Sequence, residues 1–320
     1  MNISISGALD LTFASRVRGP VGSECQIRST SNDLHGAGMT NRFDAASTSD
    51  RAGADGHGSR HSCGIAFMAK ASAPGRAKTR LVPPLTFDQA ADLNTAFLQD
   101  VAANLAAADE QARATAAQHA AIVGYAAYGP PTSTDFFRSI LPASIGLIEA
   151  WLPNFGDCLF HTIGEIFKRG HHSAVVLNSD SPTLPTALLV ETAEVLAQPG
   201  DRAVLGPSTD GGYYLLGLKH AHARMFEDIA WSTERVADQT MARARQIGLD
   251  VHLLPAWYDV DDVDALKRLD AELRGADLET RPSQQPRYAA HTARLMRQLA
   301  RERGFGRDPA RVFASGRVHA

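Results

Sequence analysis

The chain has 320 residues, with 32 Lys+Arg against 35 Asp+Glu, a formal net charge of −3, and 44% hydrophobic but only 7% aromatic residues. That balance is globular, long enough for one large domain or two small ones, and no apolar run approaches the roughly 18 residues that cross a bilayer. Cys25, Cys63 and Cys158 lie far apart without a C-x-x-C pair, which argues against a disulfide framework or a thiolate zinc site and fits a cytoplasmic setting.

Residues 1–62 are rich in Ser, Thr, Gly, Ala and Asn with no period of 2 or 3.6, the composition of a disordered tail. From Cys63 the texture changes to short apolar runs alternating with helical periods. Gly64–Met68 reads as a buried strand. Thr86–Ala107 reads as a helix with Ala90, Leu93, Phe97, Val101 and Leu105 on one stripe, and Thr86 with Gln89 forms a capping box. Ala121–Tyr128 is a second strand, closed by Gly129-Pro130-Pro131. After an irregular stretch, Asp157 caps a helix running to Lys168, with Gly170 beyond its end. Ala174–Leu177 is a third apolar strand. Helix Thr186–Ala197, strands Ala203–Leu205 and Tyr213–Leu218, helix Thr233–Ile247, strand Val251–Leu254 and helix Val263–Arg274 follow.

Strands without polar alternation, separated by amphipathic helices, predict an α/β domain over 63–276 with a mostly parallel, Rossmann-like sheet covered on both faces. The remaining 277–320 form a basic extension; its residues 281–320 hold nine Arg against two acidic residues. There Ala289–Arg303 can form a helix that docks through Leu295 and Leu299 rather than binding nucleic acid.

In such a sheet ligands bind beyond the carboxyl ends of the strands, so the residues that follow strands carry the chemistry. After the first strand, Lys70, Arg76, Lys78 and Arg80 fall within eleven residues that contain no acid, although the domain around them is acidic. Pro74-Gly75 forces a turn there, and Thr79 lies between two of the cations. The loop is either a multipoint clamp for a small polyphosphate or a solvated basic turn; a Walker A loop is excluded by spacing. After the third strand, Asp180 can hold a hard divalent cation or cap the next helix. Past the last strand, Asp259 and Asp261 can supply a partner for Asp180 on that cation, or the acidic run can serve only as a helix cap, for which Asp262 alone would suffice. Asp210-Gly211-Gly212 permits close ligand approach or forms an ordinary turn, with Tyr213 and Tyr214 packing beside it. His171-His172 reads as a solvated pair at a helix end, and Cys158 with His161 is too sparse for a metal site.

Taken in order, Pro74-Gly75-Arg76-Ala77-Lys78-Thr79-Arg80-Leu81, Ser179-Asp180-Ser181-Pro182-Thr183-Leu184-Pro185, Gly206-Pro207 with Asp210-Gly211-Gly212-Tyr213-Tyr214, Trp231-Ser232-Thr233 and Tyr258-Asp259-Val260-Asp261 resemble one family. It is the bacterial, glycosyltransferase-like GT-A-type transferases of unknown function, related to 2-phospho-L-lactate guanylyltransferase. The resemblance covers about residues 64–272 and implies the nucleotide-diphospho-sugar transferase fold. It implies a nucleoside triphosphate or nucleotide-sugar and a small-molecule acceptor as partners, and the lack of a long apolar run predicts no membrane among them.

The expected activity is Mg²⁺-dependent (or Mn²⁺-dependent) nucleotidyl transfer from a nucleoside triphosphate to a phosphorylated acceptor, with release of pyrophosphate. Lys70, Pro74, Gly75, Arg76, Lys78, Thr79 and Arg80 then bind the nucleotide, and Asp210, Gly211 and Gly212 face the acceptor. Asp180 and Asp261 hold the metal with Asp259 as substitute, so that Lys78, Arg80 and Asp180 carry catalysis. Glycosyl transfer from a nucleotide-sugar is the alternative, and a catalytically weak nucleotide-binding protein the alternative of another class.

Overall fold

The computed structural model describes residues 61–114, 120–276 and 285–302. The tail expected over 1–62 lies outside these residues except for its last two, His61 and Ser62, which open the first strand. Parts of the basic extension, 277–284 and 303–320, lie outside as well.

Seven strands form one sheet: β1 (His61–Lys70), β2 (Ala120–Gly129), β3 (Gly146–Glu149), β4 (Ser173–Leu177), β5 (Arg202–Pro207), β6 (Tyr213–Leu218) and β7 (Asp250–Leu253). Their order is β3-β2-β1-β4-β6-β5-β7. β6 is antiparallel to both neighbours and every other pair is parallel, so the expected mostly parallel sheet is present. The strands are apolar on both faces because both are covered. Ile65, Phe67, Val175 and Leu177 point into one core, with α1 (Phe87–Ala114), α4 (Thr186–Ala197), α6 (Val263–Leu273) and α7 (Ala290–Glu302). Ala66, Met68, Ala174 and Val176, alternating with them, point into the other, with α3 (Phe155–Lys168) and α5 (Val236–Gln246). This two-sided burial is what the unbroken apolar runs demand.

The capping box of α1 is formed: the Thr86 amide donates to Gln89 Oε1 at 3.0 Å, and the Gln89 amide to Thr86 Oγ1 at 3.2 Å. The cap expected at Asp157 is corrected, because Asn154 is the N-cap of α3 and accepts from the Asp157 amide at 2.8 Å. α5 starts at Val236 rather than Thr233, whose hydroxyl closes a turn onto the Ala230 carbonyl at 2.7 Å. The irregular stretch contains α2 (Thr134–Ile140) and the edge strand β3, each too short to show a period in sequence. Among the described residues no helix is long and apolar enough to cross a membrane.

The C-terminal extension docks as a helix, but its anchor is a carboxylate as much as an apolar stripe. Leu299 is buried, and Leu295 packs against the same core. Asp100 of α1, 2% exposed, caps α7 from outside: it accepts from the His291 amide (3.0 Å), the Thr292 amide (2.8 Å) and the Thr292 hydroxyl (2.6 Å). The Arg287 amide donates to the Thr183 carbonyl at 3.0 Å, which ties the approach to this helix to the segment after β4. Asp100→Ala leaves these donors buried and unmatched, at a cost of about 1–3 kcal/mol. A fall in Tm of about 2–4 °C per kcal/mol lost is expected by thermal unfolding, and a larger fall on deletion of 281–320. An unchanged Tm in both would show that the helix does not support the core.

Candidate active site

The carboxyl ends of β1, β4, β5 and β7 lie along one edge of the sheet, and the segments that leave them meet there. β1 runs into the basic loop, whose start is held to α1 by Asn94 Nδ2 donating to the Lys70 carbonyl (3.2 Å) and to Ser72 Oγ (2.8 Å). Pro74 and Gly75 turn the chain, with Gly75 at φ +73° and the Arg76 amide closing the turn onto the Ala73 carbonyl at 3.0 Å. β4 runs into Asn178-Ser179-Asp180-Ser181, and the segment after β7 is bound to it: the Val260 amide donates to the Asp180 carbonyl at 2.8 Å, and Ser181 Oγ to the Tyr258 carbonyl at 2.8 Å.

The basic loop is divided by burial. Pro74, Gly75, Arg76, Thr79 and Arg80 are exposed and Lys70 is half-buried, whereas Lys78 is only 2% exposed. Its backbone takes the left-handed conformation at φ 50°, which is uncommon for a side chain of this size and turns the ammonium inward. Lys78 Nζ lies 2.7 Å from Asp180 Oδ1 and 2.8 Å from Asp261 Oδ1, donates to the Val260 carbonyl at 2.9 Å, and sits 5.2 Å from the centroid of the Phe97 ring. Burial alone would lower the pKa of the ammonium. The Asp180 and Asp261 carboxylates outweigh it and raise its pKa above the ordinary lysine value.

The candidate metal ligands in both acidic segments are free of capping duty. Asp262, not Asp259 or Asp261, is the N-cap of α6 and accepts from the Ala265 amide at 2.8 Å. α4 begins after Pro185 with no side-chain cap, so Asp180 does not cap it. The site is rich in negative charge: burial, then the Asp261, Asp210 and Asp180 carboxylates, push Asp259 up to about 8 against the pull of Lys78. Burial likewise pushes Asp261 up to about 6, opposed first by Lys78 and assisted by Asp180, with the Arg80 cation also pulling it down. Asp261 Oδ2 is buried with no hydrogen-bond partner, as is Asn178 Oδ1. An orphaned carboxylate oxygen among carboxylates that repel one another fits a hard divalent cation.

The remaining expected site residues divide. Asp210 joins the electrostatic set through Asp259, and its Oδ1 accepts from the Gly212 amide at 3.1 Å. Gly211 needs its freedom for a different reason from the one expected: at φ +93°, a Cβ would stand 2.1 Å from the Glu234 carbonyl oxygen, so the close approach is to the chain's own backbone. Beside this turn Tyr213 packs as expected, in an aromatic group with Trp231 and Phe155. Trp231 meets Phe155 edge-on (5.4 Å between centroids) and Tyr213 (6.4 Å), and Gly156 leaves room for its indole. The Tyr213 hydroxyl is buried there without a partner. The expectation for His171-His172 divides: His172 is exposed, whereas His171 is half-buried and its ring bonds Ser62 Oγ and the Tyr125 hydroxyl, both at 2.6 Å, at the opposite end of the sheet.

Comparison with known proteins agrees with this architecture. The family model described as "Uncharacterized protein conserved in bacteria (DUF2064)" matches residues 111–233. A solved structure from Desulfovibrio desulfuricans G20, described as a candidate nucleotide-diphospho-sugar transferase, is 27% identical, with a TM-score of 0.61 over 78% of this chain and 100% of that one. A cytidylyltransferase from Leptospira borgpetersenii serovar Hardjo-bovis is 11% identical, with a TM-score of 0.43 over 77% of this chain and 97% of that one. None of the curated proteins matches. The fold shared with the Desulfovibrio protein and the family match over 111–233 bear out the resemblance that the ordered motifs carry, to a bacterial GT-A-like family of unknown function.

Proposed function

We propose that this protein is a divalent-metal-dependent nucleotidyltransferase. One observation carries the reading: Lys78 lies buried between Asp180 and Asp261, in a loop whose Arg76 and Arg80 are exposed. A floor of carboxylates under a rim of guanidinium groups is bipolar. It suits a polyphosphate that arrives with its own cation, since the rim binds the phosphate oxygens and the floor binds the metal.

Asp180 and Asp261 are the residues to hold Mg²⁺ or Mn²⁺, with Asp259 beside them and the unpartnered Asp261 Oδ2 available. The cation would supply charge neutralisation at the phosphates. The chain's own groups do the rest. Arg76 and Arg80 hold the triphosphate, and Lys78 fixes the spacing of the two carboxylates. An acceptor oxygen attacks the α-phosphorus in line, a new P–O bond forms, the bond to the β-phosphate oxygen breaks, and pyrophosphate leaves with the electron pair. An acceptor phosphate is already ionised near neutral pH, so the step needs no general base and rests on positioning and electrostatics. Asp210 and the Trp231, Phe155 and Tyr213 group flank the side of the site where the acceptor would lie.

Glycosyl transfer is the second reading, favoured by the description of the Desulfovibrio protein as a candidate nucleotide-diphospho-sugar transferase. The same carboxylates would then hold the metal against a diphosphate. Incubation with each nucleoside triphosphate, a panel of nucleotide-sugars, Mg²⁺ and an acceptor-containing extract separates the two: pyrophosphate is the expected product, and release of nucleoside diphosphate from a nucleotide-sugar would replace the first reading by the second.

Arg76→Ala and Arg80→Ala are expected to weaken nucleotide binding by about 1.5–3 kcal/mol each, the worth of a charge-assisted contact, with Tm unchanged. Wild-type affinity by calorimetry in both would remove the loop from the site. Lys78→Met strips the buried carboxylates of their counter-charge, a class of change that costs about 3–5 kcal/mol. Its apo Tm should fall, and Mg²⁺ should restore more of it than in the wild type.

The pH dependence follows from the raised carboxylates. Asp259 moves from its ordinary 3.8 to about 8 on folding, so the unfolded chain releases its proton first. Its contribution therefore favours the native state at low pH and turns unfavourable as pH rises through that interval. Asp259→Asn should raise the apo Tm at pH 8 relative to the wild type, by about 2–4 °C per kcal/mol recovered, with the difference vanishing near pH 4. A variant less stable than the wild type at pH 8 would show that the carboxylate is not under this repulsion.

A further inference from the structure

At the end of the sheet opposite the candidate active site, three side chains converge from two segments. Asp201 precedes β5, and His220 and His222 follow β6. His220 Nδ1 lies 2.9 Å from Asp201 Oδ1, and His222 Nε2 lies 2.8 Å from Asp201 Oδ2. The His222 amide donates to the His220 carbonyl at 2.9 Å, a tight turn that brings both rings to the same carboxylate, with centroids 6.1 Å apart. Among the described residues this is the only group of three or more His, Cys, Asp or Glu whose ligand atoms all lie within 4.8 Å of one another. The acidic floor of the active site does not meet that criterion.

The neighbouring cations do not neutralise this carboxylate. Arg202 and Lys219 adjoin Asp201 and His220 in sequence, yet Arg202 donates to Gln198 Oε1 (2.7 Å) and the Pro199 carbonyl (2.8 Å), and Lys219 donates to the Gln198 carbonyl. Asp201 is left to the two imidazoles. The group is partly open to water, with side-chain exposures of 38% for Asp201, 68% for His220 and 27% for His222.

We propose that Asp201, His220 and His222 form a second metal site, selective for a borderline-soft divalent cation of the zinc class and distinct from the hard-cation site at Asp180 and Asp261. Two imidazole nitrogens and one carboxylate oxygen are a zinc-type donor set, and water completes a tetrahedron. Donor atoms around tetrahedral zinc stand about 3.3 Å apart, so small rotations of exposed side chains accommodate the ion. Each ring now directs an N–H at the carboxylate, which can only accept. On binding, the proton moves to the other ring nitrogen, His220 Nε2 and His222 Nδ1, and the vacated lone pairs take the metal, with no net change of protons for neutral rings. The ion would clip the start of β5 to the chain leaving β6, reinforcing the one antiparallel strand at its far end.

The test uses the full-length chain stripped with a chelator and titrated near neutral pH with Zn²⁺ by calorimetry, and with Co²⁺ by visible absorption. The wild type should take up one equivalent that His220→Ala/His222→Ala does not, with a tetrahedral Co²⁺ spectrum that the double variant lacks. Asp201→Asn should weaken this equivalent by about a hundredfold or more, since losing even a group that only supports a ligand costs about 10–100-fold. Excess Mg²⁺ should not displace the ion, and His171→Ala should leave uptake unchanged. Circular dichroism checks that the exposed substitutions keep the fold. Equal zinc stoichiometry and affinity in the wild type and a folded double variant, displacement by Mg²⁺, or loss of uptake in His171→Ala would overturn the proposal.

Discussion

The arrangement of the candidate active site depends on one buried ammonium. Lys78 contacts Asp180, Asp261 and the Val260 carbonyl at once, and so joins the loops after β1, β4 and β7. Isolated, any of these charges would be expelled toward water, because desolvation costs several kcal/mol per ion. Together they are tolerated because the ammonium has oxygen partners at 2.7–2.9 Å and the Phe97 ring face beside it. The left-handed backbone at Lys78 is the local cost of aiming the side chain inward.

The compensation is incomplete by design of the charge count. One Lys faces Asp180 and Asp261, and the Asp261, Asp210 and Asp180 carboxylates disfavour the ionisation of Asp259. The deficit sits beyond the carboxyl ends of the strands, where Arg80 offsets part of it at Asp261. The two ends of the sheet then gather different side chains: carboxylates at the carboxyl edge, and His220 and His222 beside Asp201 at the other.

Much of the fold was readable in sequence because two-sided burial leaves a plain signal. β6 over Tyr213–Leu218 and α4 over Thr186–Ala197 coincide with the apolar run and the amphipathic period that predict them. β3 was not readable: four residues at an edge, of which Ile148 is buried, offer no pattern. At the site, Asp180, Asp259 and Asp261 could be found from their position after strands, and Asp262 from its cap. The burial of Lys78 could not, because a basic loop after a strand looks the same whether its lysine faces solvent or turns beneath the backbone. Gly211 shows the complementary limit. Its need for positive φ is legible, but whether a ligand or Glu234 presses against it is a tertiary fact.

The ion pair from Lys78 to Asp261 spans 183 residues of sequence, and that separation bears on the order of assembly. Contacts so distant form late, after the entropy of closing the intervening loop has been met by nearer ones. During synthesis the first loop and the Asp180 segment emerge well before the residues after β7 exist. Until those arrive the ammonium has one carboxylate instead of two and no Val260 carbonyl, and the edge of the sheet that carries the candidate site stays unsealed. Closure of the acidic floor is therefore a reporter of completed folding: a nascent chain halted before residue 260 would carry the strands β1, β2 and β4 without the site they exist to hold.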